Sequence, residues 1–248
     1  MKNKLKKIAI KVILPLLFWL GIWEISALII GNEFLLPDIQ STVLSLIKLL
    51  CSAGFYTAIL LSSARVITGL LLGFLAGITL ALLCSRFALF RSLFTPILRI
   101  IKSTPVASFI VVLWVMMSGD ALSVFIGFLM VMPIIYQNLT DGLSAIDKQL
   151  SEVAEVYNFS RKKRFMLLTY PTLKKYLVPA VITASGLGWK AEIAAEIIAY
   201  TKHSIGQGIN DAKYNMDTPT VFAWTAVIIL LSIALESGAR YLLRRTDK

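Results

Sequence analysis

The chain has 248 residues, 57% of them hydrophobic and 16% charged, with a mean hydropathy of +0.78. A chain this long and this poor in charge cannot be a water-soluble domain, and it reads as a polytopic membrane protein. The formal charge of +11 could serve a nucleic acid. However, Lys and Arg cluster between apolar runs, as expected of inner-face loops, and no basic face studded with aromatics remains.

Met1 to Lys11 carries five lysines and no acid, which predicts a cytoplasmic N-terminus. Lys11 to Ile30 is long enough to cross a bilayer core and contains Pro15 and Glu24. No small-residue cleavage pattern follows it, only the stretch Gly31 to Asp38, so it reads as a retained anchor helix. Pro37 and Asp38 open a segment in which Ile39, Val43, Leu46, Ile47 and Leu50 share one helical face, expected to lie along the outer surface. A second span is predicted from about Leu60 to Cys84. Its Gly69, Gly73 and Gly77, every fourth residue, would let helix backbones approach closely where no hydrophobic force drives them together. Arg65, near the outer end, reads as a packing or snorkelling residue.

Arg86, Arg91, Arg99 and Lys102 mark an inner loop and the approach to a third span reaching about Met117, with Pro96 and Pro105 along the way. After a turn at Ser118 to Asp120, a fourth span containing Pro133 runs from about Ala121 to Thr140. Ser144 to Lys175 is then a long polar and basic interruption. Ala145 to Tyr157 is rich in helix formers and places Ile146, Leu150, Val153 and Val156 on one face, predicting a short amphipathic helix. Asn158 tolerates the left-handed conformation that ends a helix, and Ser160 can cap a second one from Arg161. Pro171 should break or kink that second helix.

The fifth span, about Leu177 to Tyr200, holds Lys190, Glu192 and Glu196. Ionisable groups cost roughly 2.5 to 3.5 kcal/mol each at a helix centre, so they should face protein or water. Glu192 and Glu196 share a face, while Lys190 lies about 200° from Glu192. They read either as a polar pathway or gate, or as partners of charges on neighbouring helices, with Glu196 alternatively exposed at the outer end. His203 to Thr218 reads as an outer loop. The sixth span runs from about Pro219 to Tyr241 and ends in Arg240, Arg244, Arg245 and Lys248. The four inner segments leave only Lys48, Arg65, Lys190, Lys202 and Lys213 elsewhere, and a flipped topology would invert that asymmetry.

No phosphate-binding loop of the G-x-x-x-x-G-K-[S/T] kind occurs, so the chain is not itself an ATPase, and no nucleophile with base or metal cluster stands out. Cys51 and Cys84 lack metal-ligand spacing and fall near opposite membrane faces, and His203 has no second His or Cys beside it.

Glu152, Val153 and Ala154, then Asn158, then Tyr170-Pro171 resemble the E-A-A, six-on Gly, then L-P signature of the cytoplasmic loop in binding-protein-dependent ABC import permeases. Val153 stands for an Ala, Asn158 for the Gly and Tyr170 for the Leu. Ser62 to Gly69, Pro96 to Pro105, Ser204 to Lys213 and Val221 to Trp224 are similar to stretches of that family's nitrate, sulfonate and taurine branch. The resemblance implies an all-α membrane protein of about six transmembrane helices with the type I importer permease fold. Residues 1–248 would be one permease domain: an anchor helix and outer segment in 1–58, core spans in 59–241, and a coupling loop at 144–175.

It also implies a bacterial inner-membrane location with both termini cytoplasmic, a second permease copy, an ABC ATP-binding subunit, an extracytoplasmic solute-binding protein, and surrounding membrane lipid. Nucleic acid is not among the expected partners. ATP would be bound by the partner, leaving this chain without a cofactor and without enzymatic activity. Glu152 would contact the ATPase, Ala154 would permit its close approach, Asn158 would set the turn, and Glu155 and Pro171 complete the coupling set. Lys190, Glu192 and Glu196 would lie by the translocation pathway, with Lys190 a departure from the family pattern. Nitrate, sulfonates, taurine, bicarbonate and pyrimidine vitamin precursors all remain open as substrates. The alternatives are an ion-coupled carrier or channel using Lys190, Glu192 and Glu196, although no internal repeat is visible, and a membrane scaffold with no pathway.

Overall fold

A computed structural model describes residues 2–245, with the side chains of residues 13–243. The lysines between Met1 and Lys11, and Arg244, Arg245 and Lys248 of the tail, lie outside the described side chains, as does any assignment of sidedness resting on them. Every described element is helical. Four stretches are long and apolar enough to cross a membrane: Ile13–Ile30 within α1 (Lys2–Ile30), α3 (Ala53–Arg86), α6 (Gly119–Ser144), and Thr218–Leu243 within α11 (Thr218–Arg245).

The expected third span is not one straight helix. Instead α4 (Ala88–Ser103) and α5 (Val106–Trp114) meet at 101° and would count as a fifth crossing only if taken together. The bend has a local cause. Pro105 has no N–H to continue the helix and forces Thr104 before it into an extended conformation, φ −85° and ψ 131°. The expected fifth span is α9 (Tyr170–Ile198), at 29 residues about 43 Å long but interrupted by charge. All six expected segments are therefore present as helices.

The core is the packing of α3, α6 and α9 on one another. The glycines at every fourth position of α3 make it possible. A Cβ on Gly73 would sit 2.7 Å from Val131 Cβ of α6, and one on Gly77 would sit 2.8 Å from both Ile135 Cβ and the Met132 carbonyl oxygen. Dispersion contacts between close backbones hold the pair, since lipid and side chains are equally apolar. At one end Phe55 of α3 and Trp224 of α11 pack with ring centroids 5.1 Å apart beside buried Trp189 of α9. At the other, Cys84, Leu98, Tyr136 and Leu139 form a second cluster joining α3, α4 and α6.

Several boundaries differ from expectation. The second span begins at Ala53, so the division near residue 58 falls inside a helix; the break in the chain is at Cys51 and Ser52. Helix α2 (Ile39–Leu50) forms where expected, with Asp38 accepting the Ser41 backbone N–H at 2.7 Å, which holds that carboxyl below its ordinary value. Its face toward α11 is the small polar one, with Thr42 and Ser45 buried, while Val43, Ile47 and Leu50 point outward. Glu24 of α1 accepts the Ile39 N–H at 3.0 Å, so this membrane carboxylate helps cap α2.

The segment expected as an outer loop contains α10 (Ile205–Tyr214), capped by Ser204 Oγ accepting from Gln207 N. Ile205, Asn210 and Ala212 are buried against the bundle, which stabilises a helix too short to persist alone. Nor does Pro171 break the loop's second helix. From α8 (Arg161–Arg164) the chain widens through a π turn at Phe165–Thr169, where the Tyr170 N–H reaches back to the Phe165 carbonyl, and runs on into α9. The extra residue in the turn accommodates the missing donor of Pro171 without ending the helix.

Candidate functional site

Two places carry chemistry: the loop helix between α6 and α9, and a charged cluster inside the bundle. The loop helix is α7 (Lys148–Val156), starting where Asp147 accepts the Gln149 N–H at 2.8 Å. It ends at Asn158, whose φ of 50° turns the chain into the left-handed region. Phe159 N–H donates to the Ala154 carbonyl and Asn158 N–H to the Glu155 carbonyl, each at 2.9 Å, which is the Schellman pattern of helix termination. Ser160 Oγ then accepts from Lys163 N to start α8, as expected. Arg164 donates to Ser151 Oγ at 3.0 Å and Lys163 lies 4.0 Å above the Phe159 ring, tying α8 back onto α7.

Glu152 and Glu155 are exposed on this unit, and so are Leu150, Val153, Tyr157 and above all Val156, at 78%. An apolar, acid-bearing helix face is thus left without a partner among the described residues. Ala154 does not belong to that face. It is buried, at 3% exposure. Asn158 and Pro171 are exposed, and both shape the backbone.

Inside the bundle, Glu192 and Glu196 of α9 are each 1% exposed, which excludes exposure of Glu196 at the outer end. Glu196 takes Ser62 Oγ–H at 2.7 Å, an Arg65 guanidinium N–H at 3.1 Å and the Gly206 N–H at 3.4 Å. Arg65 is 12% exposed and also pairs with Asp120 of α6 at 2.9 Å while donating to the Lys202 carbonyl at 3.3 Å. It is therefore an internal clasp joining α3, α6 and the end of α9, and not a residue snorkelling to the surface. Glu192, one turn earlier, has no hydrogen-bond partner among the described residues. It occupies a slot made by two glycines: a Cβ on Gly127 would meet its Cγ at 2.7 Å, and one on Gly69 would meet the Val124 carbonyl oxygen at 2.9 Å.

Lys190 is exposed on the other side of α9 and joins neither glutamate. Lys190 thus stands apart from the two glutamates, as its offset of about 200° from Glu192 along the helix implies. Ser62, Arg65, Asp120 and Gly127 enter the cluster instead. Ser62, Arg65 and Gly69 recur at three and four residues on one helical face, a signal that could have grouped them. Beside the cluster, a groove of 1110 Å³ runs between α3 and α6 from Arg65 and Asp120 past Thr68, Phe125 and Phe128 to Phe94 of α4. Among the described residues no group of His, Cys, Asp and Glu is arranged to hold a metal.

Long helices packed through glycine seams, an internal ion-pair clasp beside a groove, and an uncovered loop helix at one end define a helical membrane transport component. Residues 69–248 match the family described as binding-protein-dependent transport system inner membrane component, and the chain belongs to that family. It is 23% identical to the taurine transport system permease protein TauC of Escherichia coli over 90% of this chain and 83% of that one. With the nitrate import permease protein NrtB of Synechococcus elongatus it shares 25% identity, over 86% and 80% of the two chains. With the bicarbonate transport system permease protein CmpB of Synechocystis sp. the identity is 26%, over 76% and 68%. The fold matches a crystal structure of an amino acid ABC transporter with histidines, with a TM-score of 0.62, 14% identity, and coverage of 77% of this chain and 93% of that one. The chain is thus a permease subunit of an ABC importer, which sets aside the ion-coupled carrier and the scaffold.

Proposed function

We propose that this permease moves a small anion or small organic solute inward by alternating access, driven by ATP hydrolysed on a separate ABC subunit. Two copies of the chain would enclose the path, a solute-binding protein would deliver from the outer face, and both termini would lie on the cytoplasmic side with α7. The relatives named for taurine, nitrate and bicarbonate support a small anionic substrate. The path would follow the α3–α6 groove, with Glu192 and Glu196 forming the wall behind it and Lys190 outside it.

The observation that carries the reading is the doubly capped α7 with Glu152, Glu155 and its apolar face uncovered. An ATP-binding subunit holding that face would push α7. Because Arg164 ties α8 to Ser151 of α7, and α8 runs through the π turn into α9 without a break, the push would reach the helix bearing Glu192 and Glu196. Asn158 and Pro171 serve by setting the turn and the widened link. Glu152→Lys reverses charge at the docking face and leaves the spans intact. In the assembled complex it should abolish solute uptake in vesicles while ATP hydrolysis and membrane insertion persist; unchanged uptake would remove Glu152 from the docking face.

A further inference from the structure

At the end of the bundle that carries α7, a cavity of 310 Å³ opens between α4 and the last turns of α6. Arg91, Arg99 and Lys102 of α4 line it together with Tyr136 and Thr140 of α6, and no acidic side chain does. Positions 91, 95, 99 and 102 fall within a quarter of the helical circumference, so α4 turns a single cationic face toward α6. None of the three cations has an ion-pair partner among the described residues; the salt bridges there belong to Arg65. Arg91 Nε donates to the Cys84 carbonyl at 3.1 Å, which steadies its guanidinium at the rim. Thr95 Oγ and Tyr136 Oη make no hydrogen bond to another described residue, so both hydroxyls are free to donate into the cavity.

A loop that merely satisfies the positive-inside rule needs lysines and arginines, but it does not need them to converge on one acid-free cavity. Three cations and two free hydroxyls suit a phosphate group, whose several oxygens accept from guanidinium forks and hydroxyls at once. The opposite face of α4 decides between sources of that group. Leu89, Leu93, Ile97 and Ile100 are all exposed there, so α4 is an amphipathic helix of the kind that lies at a membrane boundary, which would set its cavity at headgroup depth. We infer that this cavity binds the phosphate headgroup of an anionic membrane lipid, as basic pockets between spans on the cytoplasmic side do.

The test is lipid retention by the full-length protein purified in mild detergent, read by native mass spectrometry after exchange with phosphatidylglycerol or phosphatidylcholine. The wild type should retain phosphatidylglycerol preferentially. Arg99→Gln with Lys102→Gln should lower that retention roughly 10- to 30-fold, and Arg99→Gln alone by roughly 5-fold, should the double variant fold poorly. Arg161→Gln with Lys162→Gln removes the same charge from α8 at the same end and should leave retention unchanged. Equal losses in both double variants would reduce the effect to general surface attraction and overturn the site. Displacement by millimolar inorganic phosphate, with no preference between the two lipids, would assign the cavity to a free anion and overturn the lipid.

Discussion

Glu196 and Glu192 lie one helical turn apart and are equally buried, but of the two only Glu196 has hydrogen-bond partners among the described residues. Glu196 is supplied with a hydroxyl, a guanidinium and a backbone N–H, so removing the cation leaves a buried carboxylate with its strongest partner gone. Arg65→Leu should therefore destabilise the protein by about 3 kcal/mol. Arg65→Leu combined with Glu196→Leu should recover most of that loss, as read by thermal unfolding in detergent. A double variant no more stable than the single one would show that the clasp acts through Asp120 or Lys202 and not through the ion pair. That Glu192 and Glu196 are ionisable residues needing protein around them was legible in the sequence. That the partner was Arg65 was not, because 131 residues separate them and hydropathy alone cannot say which faces of two helices meet.

At the scale of elements, helix ends were more legible than helix courses. The stop at Asn158, the cap at Ser160 and the cap at Asp38 depend on side-chain and backbone preferences within a few residues, and each occurs where its residue type predicts. Asn158→Gly should leave the α7 turn and coupling intact, since glycine takes positive φ without strain. Asn158→Val places a branched Cβ in the left-handed region at a cost of about 1–2 kcal/mol. It should loosen α7 and lower solute-stimulated ATP hydrolysis in the assembled complex, whereas equal activity of the two variants would make the turn's conformation irrelevant. The π turn was not legible. Pro171 announces a missing N–H, but whether the chain breaks there or widens depends on whether α9 already holds the following residues in place. Likewise α10 owes its helix to burial against α9 and α11, which no local propensity encodes.

Across the whole molecule, the α3–α6 seam sets the distance between the two helices that wall the groove. Gly77→Ala puts a methyl group 2.8 Å from a backbone carbonyl that cannot rotate away, so the helices must separate. A loss of about 1–3 kcal/mol is expected, read as a lower melting temperature in detergent, together with slower transport. Gly238→Ala, with nothing within 4 Å, should melt like the wild type and serves as the comparison. If the two variants melt alike, the close approach at Gly77 contributes nothing to stability. By itself the sequence determined the membrane class, the six helical segments, the presence of the loop helix and its stop at Asn158, and the glycine spacing, all of which follow from hydropathy and from preferences over one or two turns; the start of that helix at Lys148 behind the Asp147 cap, three residues past the expected Ala145, was not among them. Only the tertiary structure decided that Arg65 is the neighbour of Glu192 and Glu196, that Ala154 is buried while Val156 is bare, and that the third segment bends around Pro105 to present a cationic cavity. Those outcomes depend on the rotation of each helix about its own axis relative to helices distant in sequence, and that rotation is set by packing.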